Sequence, residues 1–135
     1  MKRRLLIMTV TALVALAVTT GAAVTSDAAT KTKTVTITGS HCAGGKEFCF
    51  GPATLTIARG TKVMWHNATA APHTVTRCTK SACGVSGGTG TDLKFGSTII
   101  DPAKSYTFTF AKAGTYIYYC TIHGYALMHG TITVH

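Results

Sequence analysis

The sequence predicts an all-β domain, an antiparallel sandwich or barrel, and three observations carry this prediction. Short segments alternate apolar and polar residues and are rich in threonine, valine and aromatic residues, which is the pattern of half-buried strands. Turn-forming pairs such as Gly51-Pro52 and Asp101-Pro102 separate these segments at intervals of roughly ten residues. No segment beyond the N-terminal region carries the apolar stripe of an amphipathic helix, so a fold of many short strands is expected.

The N-terminal region, residues 1–28, predicts a secretory signal peptide. Residues 2–4 form a cationic head, residues 5–18 are apolar and uncharged, and small residues follow, the order typical of such a peptide. The apolar run is shorter than the ~20 residues that a membrane-spanning helix needs, so we expect no retained membrane span. A retained anchor is the alternative, and several cleavage positions between residues 22 and 28 stay open.

Residues 29–135 then form a single domain, which is long enough for one hydrophobic core. Removal of three basic residues and one acidic residue with the leader changes the net charge from +9 to about +7. The basic residues are scattered, without an arginine-rich run or an aromatic-interleaved basic motif, so we expect no nucleic-acid partner. The positive charge is explained either by solubility alone or by attraction to an acidic partner or an anionic surface.

The predicted strands follow one another between turn signals. TVTIT opens the domain, TLTI follows the GP turn, and TKVMW follows RG; SYTFTF follows DP, TYIYY follows AG, and GTITV closes the chain. The glycine-rich segment 78–97 is predicted to be a long surface loop. The predicted strands are 34–38, 53–57, 61–65, 105–110, 115–119 and 130–134.

Strand alternation and cysteine count together single out one thiol. Cys42 with Cys49 and Cys78 with Cys83 would close short local loops, and in an oxidising compartment cysteines pair, so these two local disulfides are expected and other pairings stay open. The remaining Cys120 lies on the same strand face as the alternating tyrosines of TYIYY. If that face is the core, its sulfur is shielded from oxidants, and an inert core thiol is the plain alternative.

The residues around this thiol suggest a metal site. Cys120, His123 and Met128 have the spacing C-x2-H-x4-M, and His73 lies upstream in the turn NATAAPHTV. A thiolate, two imidazoles and a weak thioether form the ligand set of a blue-copper site, which suits both Cu(I) and Cu(II). Structural zinc normally has four strong ligands, and methionine is a poor one.

The chain resembles the plastocyanin-like members of the cupredoxin family, through VMWHNATAAPHTV (63–75), segment 95–134 and the order His, Cys, His, Met. The resemblance implies a Greek-key β-sandwich that holds one type 1 copper ion near one end. It implies His73, Cys120, His123 and Met128 as the metal ligands, with the plastocyanin gap between His123 and Met128. The expected function is that of an exported one-electron carrier, located in the periplasm, at the cell surface or in the medium.

Several residues depart from the family pattern. Asparagine often follows the first histidine and ties the two ligand loops together; here Thr74 takes that place, and its backbone N–H can still donate to the Cys120 sulfur. Leu127 stands where glycine commonly precedes the methionine. The two cysteine loops are not a plastocyanin pattern, and the acidic patch of plant plastocyanins is absent, so the partner does not carry over.

Residues beside the ligands suggest how such a site would meet a partner. An apolar rim around an exposed His123 edge would suit brief docking with a redox protein, and Tyr119 is either a plain outward strand residue or part of an electron route. We expect a monomer with transient redox partners that carry acidic docking surfaces. The predicted rim consists of Ala70, Ala71, Pro72, Gly124, Tyr125, Ala126 and Leu127.

Other functions have less support in the sequence. The four ligands leave no open coordination position, there is no carboxylate pair or Ser-His-Asp order, and Cys120 with His123 lacks a third partner for nucleophilic catalysis, so we expect no enzyme. Copper sequestration or delivery is the alternative function, and a metal-free binding domain is a weaker one. The remaining histidines have no motif that assigns them a role; they are His41, His66, His129 and His135.

Overall fold

A computed structural model describes residues 31–135, which form two four-stranded sheets that enclose one core. The predicted leader, residues 1–28, lies outside the described residues. Within the described part of the chain, no helix combines the length and apolar composition needed to cross a bilayer. Two single helical turns occur, a 3-10 turn at Ala43–Gly45 and α1 at Lys80–Cys83. The strands are β1 Thr32–Thr38, β2 Cys49–Gly51, β3 Thr54–Ile57, β4 Lys62–Asn67, β5 Thr76–Arg77, β6 Ser105–Thr109, β7 Gly114–Tyr119 and β8 His129–Val134.

The predicted all-β sandwich is confirmed, but the sheets are not purely antiparallel. One sheet has the order β2-β1-β4-β6 and the other the order β3-β8-β7-β5. Strand β1 pairs with β4 in parallel, and β3 pairs with β8 in parallel. Alternation of apolar and polar residues shows which face of a strand is buried but not which way its neighbour runs, so the parallel pairs could not be predicted from the strand pattern.

The core is built around a buried indole. Trp65 has no solvent exposure, and its ring centroid lies 5.5 Å from those of Phe95 and Tyr106 and 5.6 Å from that of Tyr118. Strands β4 and β6 belong to one sheet and β7 to the other, so the contact between Trp65 and Tyr118 packs the two sheets against each other. Offset and edge-to-face aromatic pairs contribute about 0.5–1.5 kcal/mol each beyond the area that they bury.

The prediction that segment 78–97 is only a surface loop is wrong in part, because this segment hydrogen-bonds to the edge of β7. Strand β5 pairs with only the last two residues of β7, which leaves backbone groups of β7 without a strand partner. The loop supplies them: Gly90 donates its N–H to Thr115 O at 2.9 Å, and Ile117 donates to Gly87 O at 3.1 Å. Buried backbone groups need such partners, and glycine has no side chain to prevent this approach.

The cysteine assignment is confirmed. Cys42 bonds to Cys49 and Cys78 bonds to Cys83, while Cys120 is a free and fully buried thiol. The first disulfide joins β2 to the loop that precedes it, and the second closes α1. The predicted inward face of β7 is also confirmed by the burial of its alternate tyrosines.

One glycine is required where the two central strands of the second sheet cross the core. Gly130 on β8 stands opposite Tyr118 on β7, and a Cβ at this position would lie 2.5 Å from both Cζ and Oη of the tyrosine. The phenol ring therefore occupies the space that any other side chain would need.

We expect Gly130→Ala to lower the free energy of unfolding by about 2 kcal/mol or more, because overpacking a core forces side chains and backbone to shift. Urea denaturation followed by tryptophan fluorescence measures this loss. Gly51→Ala is the matched strand control, since a Cβ there meets its nearest atom at an ordinary 3.7 Å. Equal stabilities of the two variants would contradict the assigned packing.

Candidate metal centre

The first ligand loop is held in place by a buried asparagine at the end of β4. Asn67 has no solvent exposure, and its side-chain N–H groups donate to Ala71 O at 2.8 Å and to Ile100 O at 2.9 Å. Its Oδ1 accepts the backbone N–H of Thr69 at 3.0 Å. Three hydrogen bonds of one amide thereby bend the chain back toward the core, and His73 follows this bend.

The hydroxyl of Thr69 determines the tautomer of His73. Its oxygen lies 2.8 Å from Asn67 Oδ1, which can only accept, and 2.9 Å from His73 Nε2. Because the hydroxyl carries one proton and donates it to the amide oxygen, it accepts a hydrogen bond from the Nε2–H of the imidazole. The lone pair of His73 is therefore on Nδ1, the nitrogen that faces Cys120.

His73 is also kept neutral by its surroundings. Burial first, and the nearby His123 imidazole second, lower its pKa from 6.5 to about 4. A metal ligand must be deprotonated at its donor atom, so a depressed pKa leaves this imidazole ready to bind at neutral pH.

The second ligand loop, between β7 and β8, folds as two successive tight turns. Gly124 donates its N–H to Cys120 O at 2.9 Å, Met128 donates to Gly124 O at 3.0 Å, and Cys120 donates to Met128 O at 3.0 Å. Gly124 has φ of 79°, a left-handed conformation that glycine adopts without strain. The four residues between His123 and Met128 thus lie in a turn that the hydrogen bond from Met128 N–H to Gly124 O closes.

The two loops bring three of the four predicted ligands together. The donor atoms of His73, Cys120 and His123 all lie within 4.8 Å of one another. Cys120 Sγ is 3.3 Å from His123 Nδ1 and 3.8 Å from His73 Nδ1. Met128 is 1% exposed and belongs to the core cluster, directly at the end of the same loop.

Thr74 ties the two ligand loops together, the function that the resemblance assigns to an asparagine. Its backbone N–H donates to Cys120 Sγ at 3.3 Å, as predicted. Its Oγ1 accepts the backbone N–H of Thr121 at 2.9 Å and lies 3.0 Å from the hydroxyl of the same residue. The replacement therefore keeps a link between the loops, now made by two hydroxyls.

This donor set fits a copper ion. It offers one buried sulfur and two imidazole Nδ1 atoms turned toward each other, which is the trigonal S and N arrangement that copper accepts in both oxidation states. Cys120 Sγ already accepts a backbone N–H, a contact that stabilises a thiolate,.

Sequence reasoning missed three residues of this centre. Asn67 and Thr69 act through hydrogen bonds, and Phe48 lies against both imidazoles; the asparagine lies in the conspicuous HNAT segment, but no spacing indicated a partner. His66 bonds instead to Ser105, and His129 to Tyr125 O. Neither histidine belongs to the metal-ligand cluster found among the described residues, and nor do His41 and His135.

The chain is similar to copper proteins along most of its length. Residues 37–135 match the family of copper binding proteins of the plastocyanin/azurin type. Plastocyanin from Scenedesmus fuscus is 36% identical over 85 residues, which are 63% of this chain and 85% of the relative. The chloroplastic plastocyanin of Tetradesmus obliquus is 36% identical over 86 residues, which are 63% of this chain and 57% of that protein.

Solved structures agree in fold. A purple cupredoxin from Nitrosopumilus maritimus superposes with a TM-score of 0.57 at 23% identity, covering 76% of this chain and 98% of that one. The Cu(I) form of an amicyanin variant superposes with a TM-score of 0.55 at 28% identity, covering 81% of this chain and 87% of that one. The converging thiolate and imidazoles and the match over residues 37–135 lead to one conclusion: this chain belongs to the plastocyanin/azurin family of copper-binding proteins and takes a single type 1 copper ion as its cofactor.

Proposed function

We propose that the protein is an exported one-electron carrier whose copper is held by His73, Cys120, His123 and Met128. The observation that carries the proposal is the convergence of a buried thiol and two imidazole Nδ1 atoms in a member of a copper-binding family. The bound ion supplies a Cu(II)/Cu(I) couple that accepts and returns one electron. The relatives named plastocyanin and the amicyanin structures point to the same class of non-enzymatic carrier.

The burial of the site favours a carrier over a copper-delivery protein. His73 and Cys120 have no exposed surface and Met128 has 1%, so a competing ligand reaches none of them without opening the fold. Delivery requires an exchangeable site with accessible donors. The hydrogen bonds of Asn67 and Thr74 hold both loops before any metal is bound, which also limits rearrangement when the electron moves.

His123 is the proposed point of electron exchange. Within the three-residue cluster it alone is partly exposed, and exposed apolar side chains stand beside it, Ile122 at 49% and Leu127 at 57% exposure. Small apolar contacts of this kind suit short-lived electron-transfer encounters. Tyr119, half-buried on the outer face of β7, gives a second possible route from Cys120 to the surface.

Export is supported by the disulfides. Two of them in a domain of this size are typical of oxidising compartments outside the cytoplasm,. The N-terminal sequence pattern points the same way. We therefore place the protein in the periplasm, at the cell surface or in the medium, after cleavage of the leader.

The first prediction concerns colour. Addition of Cu(II) to the mature chain should give an intense visible absorption that ascorbate bleaches and an oxidant restores, and Cys120→Ser should abolish it, because the thiolate provides the charge-transfer band. His66→Gln is the control, since this histidine bonds to Ser105 and lies outside the cluster. Tight binding without colour, or rapid copper loss to a mild chelator, would favour the delivery function instead.

The second prediction concerns the tautomer. Thr69→Val should weaken copper binding by about 10–100-fold, because the partner that orients a ligating histidine is lost. Chelator competition measures the affinity. Thr69→Ser should retain it, since the hydroxyl remains, and Thr107→Val on exposed β6 controls for the same substitution elsewhere. Equal affinities of the Thr69→Val and Thr107→Val proteins would contradict the assigned hydrogen bond.

The third prediction concerns steering by charge. Lys46 and Glu47 both line the small hollow beside His123 and Leu127, so Lys46 offsets a carboxylate at the exchange point and lets the net positive charge of the chain attract an acidic partner there. The association rate with an acidic cytochrome, measured by stopped flow, should fall as salt rises within the ~10 Å screening length at 0.1 M. Lys46→Glu should slow association more than Lys62→Glu, which lies at the start of β4, the strand end away from the ligand loop. An association rate that does not change with salt would contradict steering by charge and would leave apolar contacts as the only basis for docking.

A further inference from the structure

An aromatic ring outside the ligand set contacts both ligand imidazoles. The Phe48 ring centroid lies 4.9 Å from that of His73, edge to face at 74°, and 4.9 Å from that of His123 at 51°. The two imidazole centroids are 4.8 Å apart. Each of the three rings therefore touches the other two, and the imidazoles are restrained on the phenylalanine side as well as by the backbone.

Strand alternation explains how Phe48 reaches this place. Phe50 on β2 is 2% exposed and packs against Tyr118 at 4.8 Å. Residues two apart in an extended chain share a face, so Phe48 extends the core face of β2 beyond the end of that strand. It belongs to the partly buried residues that pack on the core, at its boundary with solvent beside His123.

The first disulfide fixes the backbone next to this ring. Cys49 pairs with Thr38 in the β1–β2 ladder, and its sulfur is bonded to Cys42 within the connecting loop. That loop contains positive-φ residues, Gly44 and Gly45 among them, so its unbridged form would have many accessible conformations. A covalent closure removes that freedom immediately beside Phe48.

We propose that Phe48 is a positioning residue of the metal centre and that the Cys42–Cys49 disulfide acts on the copper site through it. The ring limits rotation of both imidazoles and keeps water from the exposed edge of His123. The disulfide keeps the ring in contact by ordering the hairpin that carries it. This inference rests on the proposed copper ligands but not on the identity of any redox partner.

The contrast between the two disulfides makes the inference specific. Both disulfides close short local loops. However, Cys78–Cys83 closes the turn α1 in the segment that borders β7, and no residue next to either of these cysteines carries an aromatic ring that could pack on a ligand. If the bridges served stability alone, their removal would leave the metal centre alike in both cases. If the first bridge positions Phe48, only its removal should change the centre.

The ring itself is tested with Phe48→Ala and Phe48→Leu against Phe108→Ala, a partly buried aromatic that packs on Phe95 and Phe110. In the metal-free protein, NMR should show faster solvent exchange of the imidazole N–H protons of His73 and His123 in the Phe48 variants only. With copper bound, transfer to a chelator should be about tenfold faster in Phe48→Ala and intermediate in Phe48→Leu, and the visible spectrum should shift. Phe108→Ala should lower the melting temperature without these changes.

The bridge is tested with the double variants Cys42→Ser/Cys49→Ser and Cys78→Ser/Cys83→Ser. The first should reproduce the faster imidazole exchange and copper loss of Phe48→Ala, whereas the second should resemble the parent protein in both. Adding Phe48→Ala to the first double variant should cause little further change, because both act on one contact.

The outcomes separate this inference from the proposed function. Unchanged imidazole exchange and copper transfer in the Phe48 variants, in a parent protein that binds copper and turns blue, would overturn the positioning role alone. Equal effects of the two bridge removals would overturn the link to the disulfide. A parent protein that takes up no copper would refute the carrier function, while the exchange measured in the metal-free chain would still decide the role of Phe48.

Discussion

The hydrogen bond from the Thr74 backbone N–H to Cys120 Sγ joins the two ligand loops, and the metal centre depends on it. The loop that contains Thr74 and His73 connects β4 of one sheet to β5 of the other, and Cys120 directly follows β7. A thiol at the end of an inward-facing strand meets an imidazole only if these two loops stay in register. The Thr74 hydroxyl adds a second link through Thr121. Thr74 thereby makes the connection between loops that the resemblance assigns to an asparagine.

Rigidity of the site follows from satisfied polar groups as much as from packing. Asn67 is wholly buried, and both ends of its amide are hydrogen-bonded. Removing a partner from such a group would leave a buried donor or acceptor without a hydrogen bond, which costs about 1–3 kcal/mol. The loop geometry is therefore stabilised without the metal, and a preformed site is what an electron carrier requires when the preferred geometries of Cu(I) and Cu(II) differ.

The centre is supported from two sides by different chemistry. Thr69 fixes the tautomer of His73 by accepting its Nε2–H. Phe48 meets both imidazoles in edge-to-face and tilted contacts, on a hairpin closed by a disulfide. Small disulfide-containing domains commonly use such bridges for stability; here one bridge also borders the functional site.

The sequence alone determined the elements whose signals are local. Period-two alternation located the main strands, the cysteine spacing identified both bridges and the lone thiol, and the C-x2-H-x4-M loop predicted the metal. Only tertiary structure decided the parallel pairing of β1 with β4, the edge contacts of segment 78–97, and the places of Asn67, Thr69 and Phe48. The strand pairing, the edge contacts and the place of Phe48 depend on which distant segments meet. Asn67 and Thr69 bond within the turn that leads to His73, but these hydrogen bonds depend on a backbone bend that residue spacing does not predict.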